Sequence, residues 1–308
     1  MLELRGLRKE FRHVVAVKNL TLSVEKGDIF GFIGPNGAAK TTTIKMIATL
    51  LKPTAGQAFV DGLDVVQYPE EVRSIIGYMP DFFGVYDDVK VWEYLDFFAA
   101  AYKIPRQRRP QIIDDVLELT DLTGKKDHFV EELSRGMKQR LCLAKTLLHD
   151  PKLLLLDEPA AGLDPRARIE IRELFKELQA RGKTIFISSH ILSELADFCN
   201  KIGIIEAGEM VISGTVDEIM HQVGLARIID FHTTAGSERA EALLQAFPSV
   251  RNVVVQDRKV SIDFVGDLDE IADMLLALLR NGVRVVTVQE RASTLEDLFM
   301  RVTQGTVA

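Results

Sequence analysis

The sequence predicts an α/β protein of two domains: a first domain built on a mixed core sheet, followed by a smaller α+β domain of ferredoxin-like order. Three observations carry this. The strand-like run Asp28-Ile29-Phe30-Gly31-Phe32-Ile33 leads directly into Gly34-Pro35-Asn36-Gly37-Ala38-Ala39-Lys40-Thr41-Thr42, and a helical stretch follows from about Lys40 to Leu50. Leu153-Leu154-Leu155-Leu156 is wholly apolar, as expected for a parallel strand covered on both faces, and ends in Asp157-Glu158-Pro159. From about residue 225 the chain changes character and reads β-α-β-β-α-β.

Taken in order, residues 1 to about 27 alternate apolar and polar and turn at Lys26-Gly27-Asp28, which predicts antiparallel strands. Gln57 to Val60 returns to strand, with a turn at Asp61-Gly62. Residues from Val91 to about Leu122 are helical and rich in aromatics, and the stripe Trp92, Tyr94, Phe97, Phe98 and Tyr102 is expected to be core. Ser134 suits a helix N-cap, and Gly136 leaves the backbone N–H groups behind it open. Thr184 to Ser189 is a second buried strand, with His190 at its end, and a hairpin turns around Glu206-Ala207-Gly208-Glu209. In the last domain the strands are Ile228–Thr234, Val250–Gln256, Val260–Val265 and Val283–Gln289, and the helices Glu238–Phe247 and Asp267–Asn281. A final helix from Thr294 to about Val302 is introduced by Ser293 and Glu296, a capping-box pair.

The glycine-rich turn has a mechanical reading. Backbone N–H groups can face inward around phosphates only where no side chain blocks them or where φ is positive, which calls for glycine. The helix behind the turn adds its N-terminal dipole. Lys40 then reaches the β- and γ-phosphates, and the Thr41 hydroxyl serves as a Mg²⁺ ligand. The residue before the lysine is Ala39 where the pattern expects glycine. That methyl group is either tolerated drift or an impediment to nucleotide binding.

Between the turn and the acidic pair lies Leu133-Ser134-Arg135-Gly136-Met137-Lys138-Gln139-Arg140. In this order and spacing the three segments resemble the ATP-binding cassette (ABC) ATPases, the motor subunits of ABC transporters. The resemblance covers about residues 1 to 220, implying a P-loop NTPase cassette there with a helical subdomain at about 88–148, and an accessory domain at 225–308. It implies ATP held by Gly34, Pro35, Asn36, Gly37, Ala38, Ala39, Lys40, Thr41 and Thr42, with Phe11 stacked on adenine. Asp157 becomes the Walker B aspartate on Mg²⁺ and Glu158 the general base. His190 is the switch histidine at the γ-phosphate. Ser134, Arg135, Gly136 and Met137 form the signature that meets ATP bound by an opposing cassette, and Asp164 belongs to the D-loop. Arg135 and Met137 replace the usual glycine and glutamine. Asp81 replaces the usual glutamine that offers Mg²⁺ a neutral oxygen; a carboxylate there repels Asp157 and Glu158 when no metal is present. Implied partners are a second cassette and integral membrane subunits, with Phe82-Phe83-Gly84-Val85-Tyr86 as the segment facing the latter. The appended domain points to exporters of drugs, antibiotics or polysaccharides.

Composition agrees. Length 308 favours two domains, and 47 % hydrophobic with 27 % charged residues describes an ordinary globular chain. A formal charge of −7 argues against a nucleic-acid partner. Cys142 and Cys199 lack a close pairing and fit a reducing compartment. No run approaches 18 uninterrupted apolar residues, so this chain is not expected to cross a membrane by itself; the resemblance implies a cytoplasmic location, peripheral on the inner face of the cell membrane. Three alternatives fare worse or stay open. Asn200-Lys201-Ile202-Gly203 lacks the aspartate that reads guanine in GTPases. Soluble ABC proteins of repair or translation carry long coiled coils or two cassettes, neither of which is present. A degenerate, regulatory cassette stays open because of Ala39 and Asp81.

Overall fold

A computed structural model describes residues 1–82, 84, 88–191, 195, 198–216, 218, 219 and 227–291. These fall into two compact units, within residues 1–216 and 217–301. The expected final helix at 294–302, and Phe83, Val85 and Tyr86 of the expected membrane-facing segment, lie outside the described residues. None of the described helices is long and apolar enough to cross a membrane.

The first unit opens on an antiparallel sheet of β1 (Leu2–Phe11), β2 (Val14–Val24), β4 (Ala55–Val60) and β5 (Leu63–Asp64), in the order β2-β1-β4-β5. Its inner face buries Leu2, Leu4, Leu22, Val24 and Val60. A six-stranded sheet runs in the order β10 (Glu209–Thr215), β9 (Lys201–Glu206), β3 (Ile29–Ile33), β8 (Thr184–Ser189), β7 (Leu153–Asp157), β6 (Ile76–Met79). Strands β9 through β6 are parallel and β10 pairs antiparallel. Every residue of β3, β7 and β8 is buried, which explains their unbroken apolar runs.

Register positions the chemistry. Ile33 pairs with Ser189, and Ser188 with Asp157, so the ends of β3, β8 and β7 share one edge of the sheet. The glycine-rich turn, the acidic pair and His190 all leave that edge, where parallel α/β sheets bind ligands.

The expected helical region consists of two helices, α3 (Val91–Ala101) and α4 (Arg109–Leu119), separated by the segment carrying Pro105. Helix α2 (Pro69–Ile75) precedes β6. Of the aromatic stripe only Tyr94 is fully buried; Phe97 is 56 % exposed and Trp92 and Tyr102 lie at the surface. The buried face of α3 is Val91, Tyr94, Leu95 and Ala99, so the aliphatic residues define it.

The second unit has β11 (Arg227–Ala235), α7 (Ser237–Gln245), β12 (Val250–Gln256), β13 (Lys259–Phe264), α8 (Leu268–Arg280) and β14 (Arg284–Arg291). Its sheet runs β12-β13-β11-β14, antiparallel throughout, the ferredoxin-like arrangement. Ile229, Phe231, Ile262 and Phe264 pack with Leu244 of α7 and Met274 and Leu278 of α8 in a separate core. Asp267 caps α8 by accepting from the Glu270 N–H at 3.0 Å.

Candidate active site

The turn after β3 is built by backbone constraint. A Cβ on Gly34 would lie 2.3 Å from the Ile205 carbonyl oxygen, so only glycine fits. Ala39 stands at φ 80°, ψ 19° as the residue entering α1 (Lys40–Ile47), a left-handed conformation that costs an L-residue about 1 kcal/mol. No side chain caps α1, which leaves its first N–H groups for an anion. Lys40 is buried, and its Nζ donates to the carbonyls of Gly34 at 2.7 Å and Pro35 at 3.2 Å. It also lies 3.5 Å from Glu158 Oε1. Burial pulls its pKa down, against the opposing pull of Glu158 and Asp157.

Asp157 is fully buried at the end of β7. Its Oδ1 accepts from the Ser188 hydroxyl at 2.6 Å, while its buried Oδ2 has no hydrogen-bond partner. Burial raises its pKa; bonds from Ser188 and Thr41 work against this, and the charges of Asp81 and Glu158 add to the rise. An orphaned carboxylate oxygen beside a threonine hydroxyl and a second carboxylate suits a divalent cation with oxygen ligands. Glu158 adopts φ 52°, and its N–H donates to the Ser188 carbonyl and hydroxyl oxygens at 3.2 and 3.1 Å. Its Oε2 lies 2.8 Å from His190 Nδ1. Glu158 is thus aimed between a cation and an imidazole, held by a strained backbone that Ser188 supports.

Asn36, Gly37, Ala39, Lys40, Thr41, Thr42, Asp81, Glu158 and His190 line one cleft, with Val14 and Ala16 of β2 on its wall. Asp81 Oδ1 accepts from the Phe82 N–H at 2.7 Å. Phe11 does not line this cleft; it is 45 % exposed, with the Lys9 ammonium 5.1 Å over its ring. Two contributors were not singled out from sequence. Ser188 sits directly across from Asp157 in the ladder, a pairing legible only once strand order is known. Gln139 is buried and donates its amide to the Pro159 carbonyl.

The signature segment lies elsewhere. Ser134 caps α5 (Arg135–Leu147), its Oγ accepting from the Met137 N–H at 3.3 Å. A second cleft is lined by Ser134, Arg135, Gly136, Gly162 and Asp164. Asp164 caps α6 (Pro165–Ala180) by accepting from the Ala167 N–H at 2.9 Å. None of Ser134 to Met137 lines the cleft that holds Lys40.

A match to the ABC transporter family spans residues 17–161. Residues 214–303 match the family described as the C-terminal domain of DrrA1-3-like ATP-binding proteins. The linearmycin resistance ATP-binding protein LnrL of Bacillus subtilis is 30 % identical over 309 residues, covering 100 % of this chain and 99 % of the relative. The Nod factor export ATP-binding protein I of Rhizobium sp. is 33 % identical, covering 98 % and 96 %. Among solved structures, an ATP-binding subunit of an ABC transporter superposes with a TM-score of 0.66 at 31 % identity, covering 73 % of this chain and 94 % of its own. A dimeric bacterial ABC transporter cassette gives 0.64 at 25 % identity, covering 70 % and 99 %. The chain belongs to the ABC transporter family. It is an ATP-binding subunit and an ATPase of that family.

Proposed function

We propose that this subunit drives export by Mg²⁺-dependent ATP hydrolysis at the cleft of Lys40, Asp157, Glu158 and His190. The observation that carries it is Glu158, fixed 2.8 Å from His190 and 3.5 Å from Lys40 beside the orphaned Asp157 Oδ2. When ATP enters, the Lys40 ammonium exchanges the Gly34 and Pro35 carbonyls for phosphate oxygens, and the open end of α1 adds its N–H groups. Thr41, Asp157 and Asp81 would hold Mg²⁺, which neutralises charge between the β- and γ-phosphates. Glu158 polarises the attacking water, and His190, bonded through Nδ1 to Glu158, holds that carboxylate in place and faces the γ-phosphate with its ring. Ser134 to Met137 of the opposing cassette close the site, which makes turnover depend on pairing. Residues 1–220 act as the cassette and 225–308 as an accessory domain. The subunit sits on the inner face of the cell membrane, held there by its membrane partners. Export is supported by full-length relatives named for antibiotic resistance and Nod factor export.

Glu158→Gln tests the reading. It removes the base but keeps the phosphate contacts, so kcat for ATP should fall by roughly 10²- to 10⁴-fold while binding of a fluorescent ATP analogue is retained. Undiminished turnover in this variant would overturn the assignment.

A further inference from the structure

Two side chains of α5 reach the turn that carries Glu158. Gln139, 2 % exposed, donates its amide to the Pro159 carbonyl. Four residues earlier, and so on the same helix face, Arg135 donates Nη2 to the Ala161 carbonyl at 3.4 Å. The guanidinium lies so close over Gly162 that a Cβ there would fall 2.5 Å from Arg135 Cζ. Gly162, at φ 71°, leaves room that no other residue type would. The helix whose first turn is Ser134 to Met137 is thereby bonded to both sides of Ala160, within the segment that starts at Glu158.

We propose that Arg135 and Gln139 are positioning residues that clamp the Glu158–Gly162 turn to α5. They make the aim of Glu158 in one ATP site depend on what α5 touches in the other. This rests on the functional reading above, in which the start of α5 meets ATP held by the opposing cassette. ATP at that seat orders the first turn of α5; the order passes through Arg135 to Ala161 and through Gln139 to Pro159, and fixes the backbone next to Glu158. The link needs no movement of the sheet, because Asp157 and Glu158 are already held by Ser188. Gln139 Oε1 is buried without a partner, so the side chain is used as a donor only. A leucine of similar volume therefore removes the bond to Pro159 without orphaning a further side-chain atom.

The test is steady-state ATP hydrolysis by the full chain with Mg²⁺, comparing Gln139→Leu, Arg135→Ala, Arg135→Lys and the double variant Arg135→Ala/Gln139→Leu. A clamp on the base predicts that Gln139→Leu lowers kcat by about ten- to a hundredfold with KM for ATP within about twofold, the scale of a displaced catalytic group. Arg135→Ala lowers kcat and Arg135→Lys restores it, since an ammonium still reaches Ala161. The double variant loses no more than the worse single one, as expected for two holds on one turn. Circular dichroism and the thermal midpoint identify any variant that has not folded, and for position 139 Gln139→Met then stands in. The clamp is overturned if Gln139→Leu and Arg135→Ala keep kcat within twofold while folded, or if their losses appear in KM alone. Glu158→Gln separates the two failures: a turnover loss there beside an intact Gln139→Leu rejects the clamp only, and undiminished turnover in both rejects the reading of the site.

Discussion

At Ala39 the phosphate loop carries a methyl group on backbone that favours glycine. The φ of 80° places an L-residue in left-handed backbone, a strain carried by the loop itself. It belongs to folding. Ala39→Gly should raise unfolding free energy by about 1 kcal/mol, because the relief at positive φ outweighs the added freedom of the unfolded chain. ATP affinity should stay within about twofold. Urea unfolding and titration of a fluorescent ATP analogue separate the two effects; a tenfold tightening would mean that the methyl group meets phosphate instead. The sequence showed that Ala39 breaks a pattern, but not its φ, which depends on how α1 docks under the loop. The same limit hid Ser188 and Gln139. Their partners lie 31 and 20 residues away, and neither residue type announces a role by spacing alone. Lys40, Asp157 and Glu158 were legible because a strand end and a helix start bring them together from local pattern.

Between elements, Asp61 does what its position in a turn does not suggest. It occupies the β4–β5 turn and takes 2.8 Å ion pairs from Lys26, before β3, and Lys152, before β7. One carboxylate so ties the antiparallel sheet to two strands of the parallel one. The pair of lysines, Lys152 first, pulls its pKa down to about 2 from an ordinary 3.8. A depressed carboxylate pKa gives stability that is complete above about pH 4 and lost as pH falls toward 2. Asp61→Asn should thus cost up to about 1 kcal/mol at pH 6. The gap should narrow between pH 4 and pH 3, read by urea unfolding at each pH; an unchanged gap at pH 3 would reject the ion-pair account. Elements themselves were legible where periodicity was strict: the ferredoxin-like order follows from alternation in β11 to β14 and caps at α8. The aromatic stripe of α3 misled because helical spacing identifies a face but not which face is buried. Val91, Leu95 and Ala99 settle that through packing, leaving Phe97 exposed.

The whole molecule divides its labour along its two cores. Every residue of the proposed nucleotide cleft and of the signature cleft lies within residues 1–216. The second unit has its own buried set, from Ile229 to Val283, and its own capped helix. No group of three or more His, Cys, Asp or Glu able to hold a metal occurs among the described residues. The proposed Mg²⁺ site of Thr41, Asp157 and Asp81 would complete its coordination with phosphate oxygens and water, as Mg²⁺ sites at phosphates commonly do. A unit with a separate core, none of whose described residues lines the cleft, is expected to act in assembly or coupling. A chain ended near His221 should keep its fold by circular dichroism and bind a fluorescent ATP analogue within about threefold of the full chain, a difference of about 0.7 kcal/mol. Its losses should appear in the stability of the ATP-bound dimer, measured by light scattering, or in ATPase stimulation by the membrane subunits. A truncated chain that is folded yet binds no ATP would show that residues beyond 221 help to build the nucleotide site, and the division between the two cores would then be structural only.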